Sequence, residues 1–472
     1  MTRLILAIVL LVCTCVPVLA GGAVKTDPRT MAFPELKFQI PQVERKLLDC
    51  GMPVYLLRDA ELPLVSITAM VRTGSVYEPS GKAGLAGLTG QVMRSGGAGG
   101  MSPEKMDDEL EFMASSVESS IGSDMGMVSM SSLSRNLQQT LNIFASVLLK
   151  PDFSEKRVEM TRKQMIEALR RQNDDPKDIA GREIGKAIYC DHPLGVVPDF
   201  ASAAAITRSD MMAFHRRFYQ PGNMILAVAG DFDPSDMLKR LNRIFGKSPA
   251  PRPELPHVAQ PSENSVPEVL LVKKEVGQSV IRMGHLGLTK DNPDQYAVRV
   301  LDYMLGGSFT SRLMMEIRTN RGLAYHVGSH FDIGRRFTGS FVVETETKPQ
   351  STLETVRLMK GIMSELQKAP VSEQELNTAR NYMINSFIFG FTNPAAVATQ
   401  RARLEFYGYP ADYLEKYRER IAAVTRDDVL AAARKYLRPG AFRIVVVGDP
   451  ARFDAPLSEL GTVRVLKLDN GG

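Results

Sequence analysis

The chain has 472 residues, 44% hydrophobic and 24% charged, with 58 Lys and Arg against 53 Asp and Glu and a formal net charge of +5. That length holds two or three ordinary domains with cores of their own. The small basic excess is scattered along the chain without any long run of like charge, so nothing in it marks a nucleic-acid surface.

The first twenty residues read as an export signal. Arg3 supplies a positive start, Leu4 to Val12 an apolar stretch too short to span a bilayer comfortably, and Val18-Leu19-Ala20 small residues ahead of a cleavage point before Gly21. An uncleaved anchor and a lipid on Cys13 are the alternatives, although Val12 occupies the position where lipid signals usually carry a small residue. Cleavage leaves a periplasmic chain with no stable membrane span and two cysteines, Cys50 and Cys190, either paired or as two buried thiols.

The first half opens on strands at Val54–Leu57 and Val65–Val71. Residues Gly84 to Gly97 follow, G-L-A-G-L-T-G-Q-V-M-R-S-G-G, a helical pattern in which the glycines at 84, 87 and 90 each cost about 1 kcal/mol relative to alanine. Gly126–Leu133 reads as a strand, Leu137–Leu149 as a helix, and Met160 to Pro176 (M-T-R-K-Q-M-I-E-A-L-R-R-Q-N-D-D-P) as a second helix ending in a turn.

The chain then repeats itself. Residues 206–231 and 424–449 align without a gap: Thr207 with Thr425, Asp210 with Asp428, Pro221-Gly222 with Pro439-Gly440, and Gly230-Asp231 with Gly448-Asp449. Each copy starts on a threonine N-cap, runs through an amphipathic helix, breaks at Pro-Gly and ends in a buried strand. The same register joins Ser154-Glu155 to Ser372-Glu373, and Arg162, Met165 and Ile166 to Arg380, Met383 and Ile384. Two homologous halves follow, at a period too long for a solenoid. Prolines at 249, 251, 253, 256, 261 and 267 mark residues 247–267 as an extended linker, which divides the mature chain into 21–246 and 268–472. The second half again begins with strands, Val269–Val272 and Val280–Leu286, and continues through a strand at Gly339–Thr345 and a helix at Leu353–Gln367. The fold class is α+β: two α/β-sandwich halves, each a largely antiparallel sheet covered by helices.

Of the six histidines, only His326 and His330 lie near each other in sequence. Their stretch, Y-H-V-G-S-H-F, reads as a strand, which separates them by about 13 Å. They are read as ordinary strand residues.

The Gly84–Gly97 segment resembles the helix on which the pitrilysin and mitochondrial-processing-peptidase family carries H-x-x-E-H. There, two histidines hold zinc and the glutamate activates its water. The first histidine falls here on Gly87, the glutamate on Gly90 and the second histidine on Gln91, and none of these can play its part. The third ligand, a glutamate on a later helix, falls on Ala168 when counted back from Asp174-Asp175-Pro176 and on Glu167 when counted forward from Gln91. The family also lays its substrate along a sheet edge, at positions that correspond to Glu118-Ser119-Ser120-Ile121. Leu305 to Tyr325, L-G-G-S-F-T-S-R-L-M-M-E-I-R-T-N-R-G-L-A-Y, resembles the block from which catalytic members extend an arginine and a tyrosine toward the substrate, here Arg318 and Tyr325.

The resemblance covers nearly the whole mature chain. It implies a clam-shell of two halves and a metal-less member of the bacterial two-subunit type. Such a chain binds no cofactor; the zinc belongs to a sister subunit with an intact motif. Arg318 and Tyr325 then donate hydrogen bonds to an unfolded peptide opposite that zinc. The alternative is a peptide-binding or assembly protein with no part in proteolysis.

Overall fold

Residues 38–246, 252–263 and 266–468 are described by the computed structural model. Residues 1–20, read from the sequence as an export signal, lie outside them, as do residues 247–251 and 264–265 of the expected linker.

Two six-stranded sheets carry the two halves of the sequence. The first contains β1 (Glu44–Leu47), β2 (Pro53–Arg58), β3 (Leu64–Val71), β4 (Ser116–Ile121), β5 (Gly126–Leu133) and β6 (Met224–Gly230), in the spatial order β1-β2-β6-β3-β5-β4. The second contains β7 (Glu268–Lys273), β8 (Ser279–Leu286), β10 (Ala324–Phe331), β12 (Ser340–Thr347), β13 (Arg443–Gly448) and β14 (Val463–Val465), ordered β10-β12-β8-β13-β7-β14. The short strands β9 (Leu288–Thr289) and β11 (Ile333–Gly334) pair separately. Read from opposite ends, the two orders coincide over five strands, with β4 and β10 as corresponding edges, and differ at the other edge, where β1 pairs antiparallel with β2 but β14 parallel with β7. Both sheets are largely antiparallel, as predicted. The equivalent parallel pairs β2–β6 and β13–β7 arise where a long helical excursion returns the chain beside an early strand, and β14 adds a third parallel pair on β7.

β6 (M-I-L-A-V-A-G) is buried along nearly its whole length, and β13 along all of it, because both faces of each sheet are covered. Leu226 and Val228 face the core of their own half. Ile225, Ala227 and Ala229 face Ala398, Ala402 and Phe406 of the helix Pro394–Phe406, which belongs to the other half. Reciprocally, Ile179, Ala180, Ile184 and Ile188 of the helix Pro176–Tyr189 pack on Leu270, Val280, Val445 and Val447 of the second sheet. These two helices stand at the same offset in sequence as Thr207 and Thr425. Each half therefore lends its equivalent helix to the other's sheet, and Ile40–Gly472 forms one compact unit.

The duplication extends to single hydrogen bonds. Thr207 with Asp210 and Thr425 with Asp428 form the same capping box at the starts of equivalent helices. Arg162 donates to the Ala204 carbonyl at 3.3 Å and Arg380 to that of Ala422 at 3.1 Å. Likewise, Arg208 donates to Phe153 at 2.6 Å and Arg426 to Val371 at 2.5 Å.

The described part of the linker has no regular secondary structure and is tied to both halves. The Ala259 carbonyl meets His192 Nε2 at 2.9 Å, Gln260 Oε1 accepts from the Thr338 amide at 2.9 Å, and Glu263 pairs with Arg438. Cys50 and Cys190 are free thiols. Among the described residues, no helix is long and apolar enough to cross a membrane.

Candidate functional site

The segment that resembles the zinc-binding helix is a helix, Leu85–Ser95, laid along β4, an edge strand of the first sheet. Gly84 is its N-cap, in the left-handed region at φ 98°. The side chain that satisfies the helix start comes from Glu78, whose carboxylate accepts from the Gly84 and Ala86 amides at 3.0 and 2.7 Å. Burial pushes that carboxyl above the usual carboxylate range against the pull of these two hydrogen bonds.

The three glycines thus do not share one face. A Cβ on Gly87 would meet nothing within 4 Å, so this position looks onto open space. A Cβ on Gly90 would lie 2.6 Å from the Ile121 amide nitrogen and 2.9 Å from the Ser120 carbonyl carbon. Gly90 is therefore the point at which the helix touches the backbone of β4. Arg94, a turn further on, donates from Nε to the Val117 carbonyl of the same strand at 2.8 Å. Gln91 is exposed.

The helix on which the resemblance puts the third ligand, Glu155–Arg171, packs beside this one, with Met165 against Gly84. Ala168 and Glu167 are both exposed on it, and Glu167 pairs with Arg170 one turn away. Among the described residues, no three His, Cys, Asp or Glu side chains gather closely enough to hold a metal ion. The donor set does not fit the family's zinc: Gly87 and Ala168 bring no donor, Gly90 faces a strand backbone, and an exposed Gln91 amide is a poor ligand.

Arg318 and Tyr325 are brought together. Arg318 lies in a π-helical stretch, Met314–Asn320, whose wider turn often occurs at functional sites, and Tyr325 on the edge strand β10. The Arg318 guanidinium stacks over the Tyr325 ring, Cζ 4.9 Å from its centroid, and 5.9 Å from that of Phe309. Both rings are open to solvent, Tyr325 81% exposed and Phe309 77%. Among the described residues, no carboxylate comes within ion-pair range of Arg318. A cation thus lies on an open phenol with its N–H edge free to donate.

Phe309 also borders a cleft of about 880 Å³, formed where the Pro176–Tyr189 helix crosses the second sheet. Its wall includes Gly181, Gly185 and Ile184 from the first half and Tyr303, Tyr382 and His330 from the second, with the two tyrosine rings stacked at 4.7 Å. His326 and His330 both sit on β10, as predicted, and both border the cleft. Beneath the strand, the buried carboxylate of Asp302 accepts from Ser329 Oγ at 2.7 Å and the Phe331 amide at 3.0 Å. Sequence reading missed this cleft. Its one linear trace is the Gly181–Gly185 pair, which flattens a helix face that only the second half covers.

Comparisons with known proteins agree with this architecture. The family model described as "Insulinase (Peptidase family M16)" matches residues 54–196, and that described as "Peptidase M16 inactive domain" matches residues 205–383. An uncharacterized zinc protease of Mycobacterium tuberculosis is 26% identical over 309 residues, which is 65% of this chain and 70% of the relative. A non-peptidase homolog, YmxG, of Helicobacter pylori is 24% identical over 344 residues, 71% of this chain and 77% of its own length. Among solved structures, an M16 inactive-domain protein from Pseudomonas fluorescens superposes with a TM-score of 0.79 at 27% identity, covering 86% of this chain and 98% of the other. The periplasmic protease PqqL of Escherichia coli shares the fold at a TM-score of 0.74 and 16% identity, over 89% of this chain and 48% of that one. The chain belongs to peptidase family M16. The positions that the resemblance gives to the zinc motif hold Gly87, Gly90 and Gln91.

Proposed function

We propose that this chain is the non-catalytic subunit of an exported zinc metalloendopeptidase. Residues 1–20 direct it to the periplasm, and the halves 21–246 and 268–472, joined by 247–267, enclose an unfolded peptide together with a zinc-bearing sister subunit. Arg318 and Tyr325 are this chain's contribution. The guanidinium and the phenol donate hydrogen bonds to a peptide carbonyl and to the oxyanion that forms when water attacks it. The observation that carries this reading is the Arg318 cation, without an ion pair among the described residues, lying 4.9 Å over an exposed Tyr325 ring, in a chain whose expected motif positions bear no zinc ligand. The periplasmic protease among its structural neighbours supports the export reading.

The test is co-expression with an H-x-x-E-H sister and peptide cleavage by complexes carrying Tyr325→Phe or Arg318→Ala. Loss of one oxyanion donor lowers turnover on the order of a hundredfold, about 3 kcal/mol, with assembly unchanged. Intact complexes with wild-type turnover would reduce the chain to a structural support. A chain that binds peptide yet never meets a sister would be a peptide-binding protein outside proteolysis.

A further inference from the structure

Four arginines converge where the two halves meet. Arg72 follows β3 of the first sheet, Arg252 lies in the linker, and Arg335 and Arg336 occupy the turn between β11 and β12. Three of them stack on the end of the lent helix and the residue after it. Arg72 Cζ is 5.1 Å and Arg336 Cζ 5.7 Å from the Phe406 centroid, and Arg335 and Arg336 are 5.4 and 5.9 Å from that of Tyr407. Both rings are buried, so the arginines lie between the core and solvent, Arg72 and Arg336 half-buried and Arg252 and Arg335 exposed.

The nearby acids are already engaged. Glu405 accepts from Arg45 Nε and Nη2 at 2.6 and 2.8 Å and from the Tyr55 hydroxyl, and Asp124 accepts the Tyr407 hydroxyl at 2.9 Å. Among the described residues, none of the four arginines forms an ion pair. The crowding registers on Arg72, whose pKa is brought down to about 10 by burial first and then by Arg252 and Arg336. A guanidinium stacked through its face keeps the N–H groups in its plane, and here only Arg336 uses one, donating to the Tyr77 hydroxyl at 2.9 Å.

We propose that Arg72, Arg335 and Arg336, with Arg252 at the rim, bind a multivalent oxyanion of the phosphate class that bridges the two halves. Donors arriving from several directions suit the tetrahedral oxygens of a phosphate better than the planar pair of a carboxylate. The charge surplus exceeds what a single negative charge would balance. Because Arg72 belongs to one half and Arg335 and Arg336 to the other, the bound anion ties the halves together and stabilises the folded chain by linkage.

Calorimetric titration of the intact chain with pyrophosphate, in chloride buffer at constant ionic strength, tests this. One saturable site and a raised thermal midpoint are expected. Arg72→Gln and Arg336→Gln each weaken binding by about tenfold or more, as loss of a charge-assisted contact does. Arg335→Gln, at an exposed position that folding does not need, weakens it too. Arg216→Gln, an exposed arginine outside the cluster, leaves binding unchanged. Co-sedimentation with phosphatidylglycerol vesicles, blocked by pyrophosphate and lost in the same variants, would assign the phosphate to a lipid head group; binding of soluble pyrophosphate alone assigns a free phosphate compound. Heats no different from those of added chloride, or binding unchanged in all three cluster variants, would overturn the proposal.

Discussion

Arg318 sits with its Cζ 4.9 Å over the ring of Tyr325, seven positions further along the chain. The π-helical turn carries the arginine, a glycine-containing bend at Gly322 (φ 62°) reverses the chain, and the edge strand presents the tyrosine. Neither side chain is needed to fill a core, so their chemistry separates from their stability.

Tyr325→Phe keeps the ring under the guanidinium and deletes only the hydroxyl. Its stability should stay within about 0.5 kcal/mol of wild type, as for exposed positions in general. Tyr325→Ala removes the stack as well, at an expected further cost of about 0.5–1 kcal/mol. Urea midpoints of the two variants check this. A Tyr325→Phe chain that unfolds much earlier than wild type would mean that the hydroxyl has a structural partner.

Gly87 and Gly90 should respond oppositely to alanine. Gly87 looks onto open space, so Gly87→Ala gains up to about 1 kcal/mol of helix propensity. Gly90→Ala places a methyl 2.6 Å from the Ile121 amide nitrogen, which is backbone and cannot step aside. Its helix gain is outweighed by overpacking of about 1–3 kcal/mol. Thermal midpoints that rise for both substitutions would refute the close contact between helix and β4.

The purified chain should hold no stoichiometric zinc. Restoring Gly87→His, Gly90→Glu and Gln91→His should not create a site, because Ala168 supplies no third ligand and a glutamate at 90 displaces the helix from β4. Elemental analysis decides both points, and one tightly held zinc per wild-type chain would end the metal-less reading.

Asp302 sets a pH dependence. Burial raises its carboxyl above the usual range, outweighing the opposing pull of the Phe331 amide and the Ser329 hydroxyl. The folded chain then holds the proton where the unfolded chain has released it. This contribution to stability is present below the ordinary carboxylate value and is lost as pH rises from there through the raised folded value. Asp302→Asn abolishes that loss. The difference in urea midpoint between variant and wild type should therefore shift in the variant's favour as pH rises from about 4. A difference that stays flat, or runs the other way, would show that the carboxylate is not raised. Taking the difference removes the opposite trend of His215 and His285, both lowered by burial, whose protonation at acid pH destabilises the fold.

The repeat was plain in the linear chain because local signals carry it. Threonine caps, Pro-Gly breaks and continuous apolar strands depend on neighbours a few residues away, and each reappeared at its place in the fold. The expectation that the zinc motif is lost rests on residue identity alone, since Gly87 and Ala168 carry no ligating side chain in any fold. Arg318 and Tyr325 were singled out from the block that contains them, and the fold sets the guanidinium over the ring.

Three features were decided only by the tertiary structure. Strands β6 and β13 read as buried, yet nothing in the sequence says that one cover is a helix lent by the other half; that contact spans well over a hundred residues. The glycines at 87 and 90 look alike in a helical pattern, and only the neighbouring strand makes one open and the other a point of backbone contact. Arg72, Arg252, Arg335 and Arg336 are scattered along the chain as ordinary surface charges. Long-range packing gathers them, because burying Phe406 and Tyr407 between the halves brings Arg72 beside the adjacent Arg335 and Arg336, with Arg252 close enough to act on Arg72.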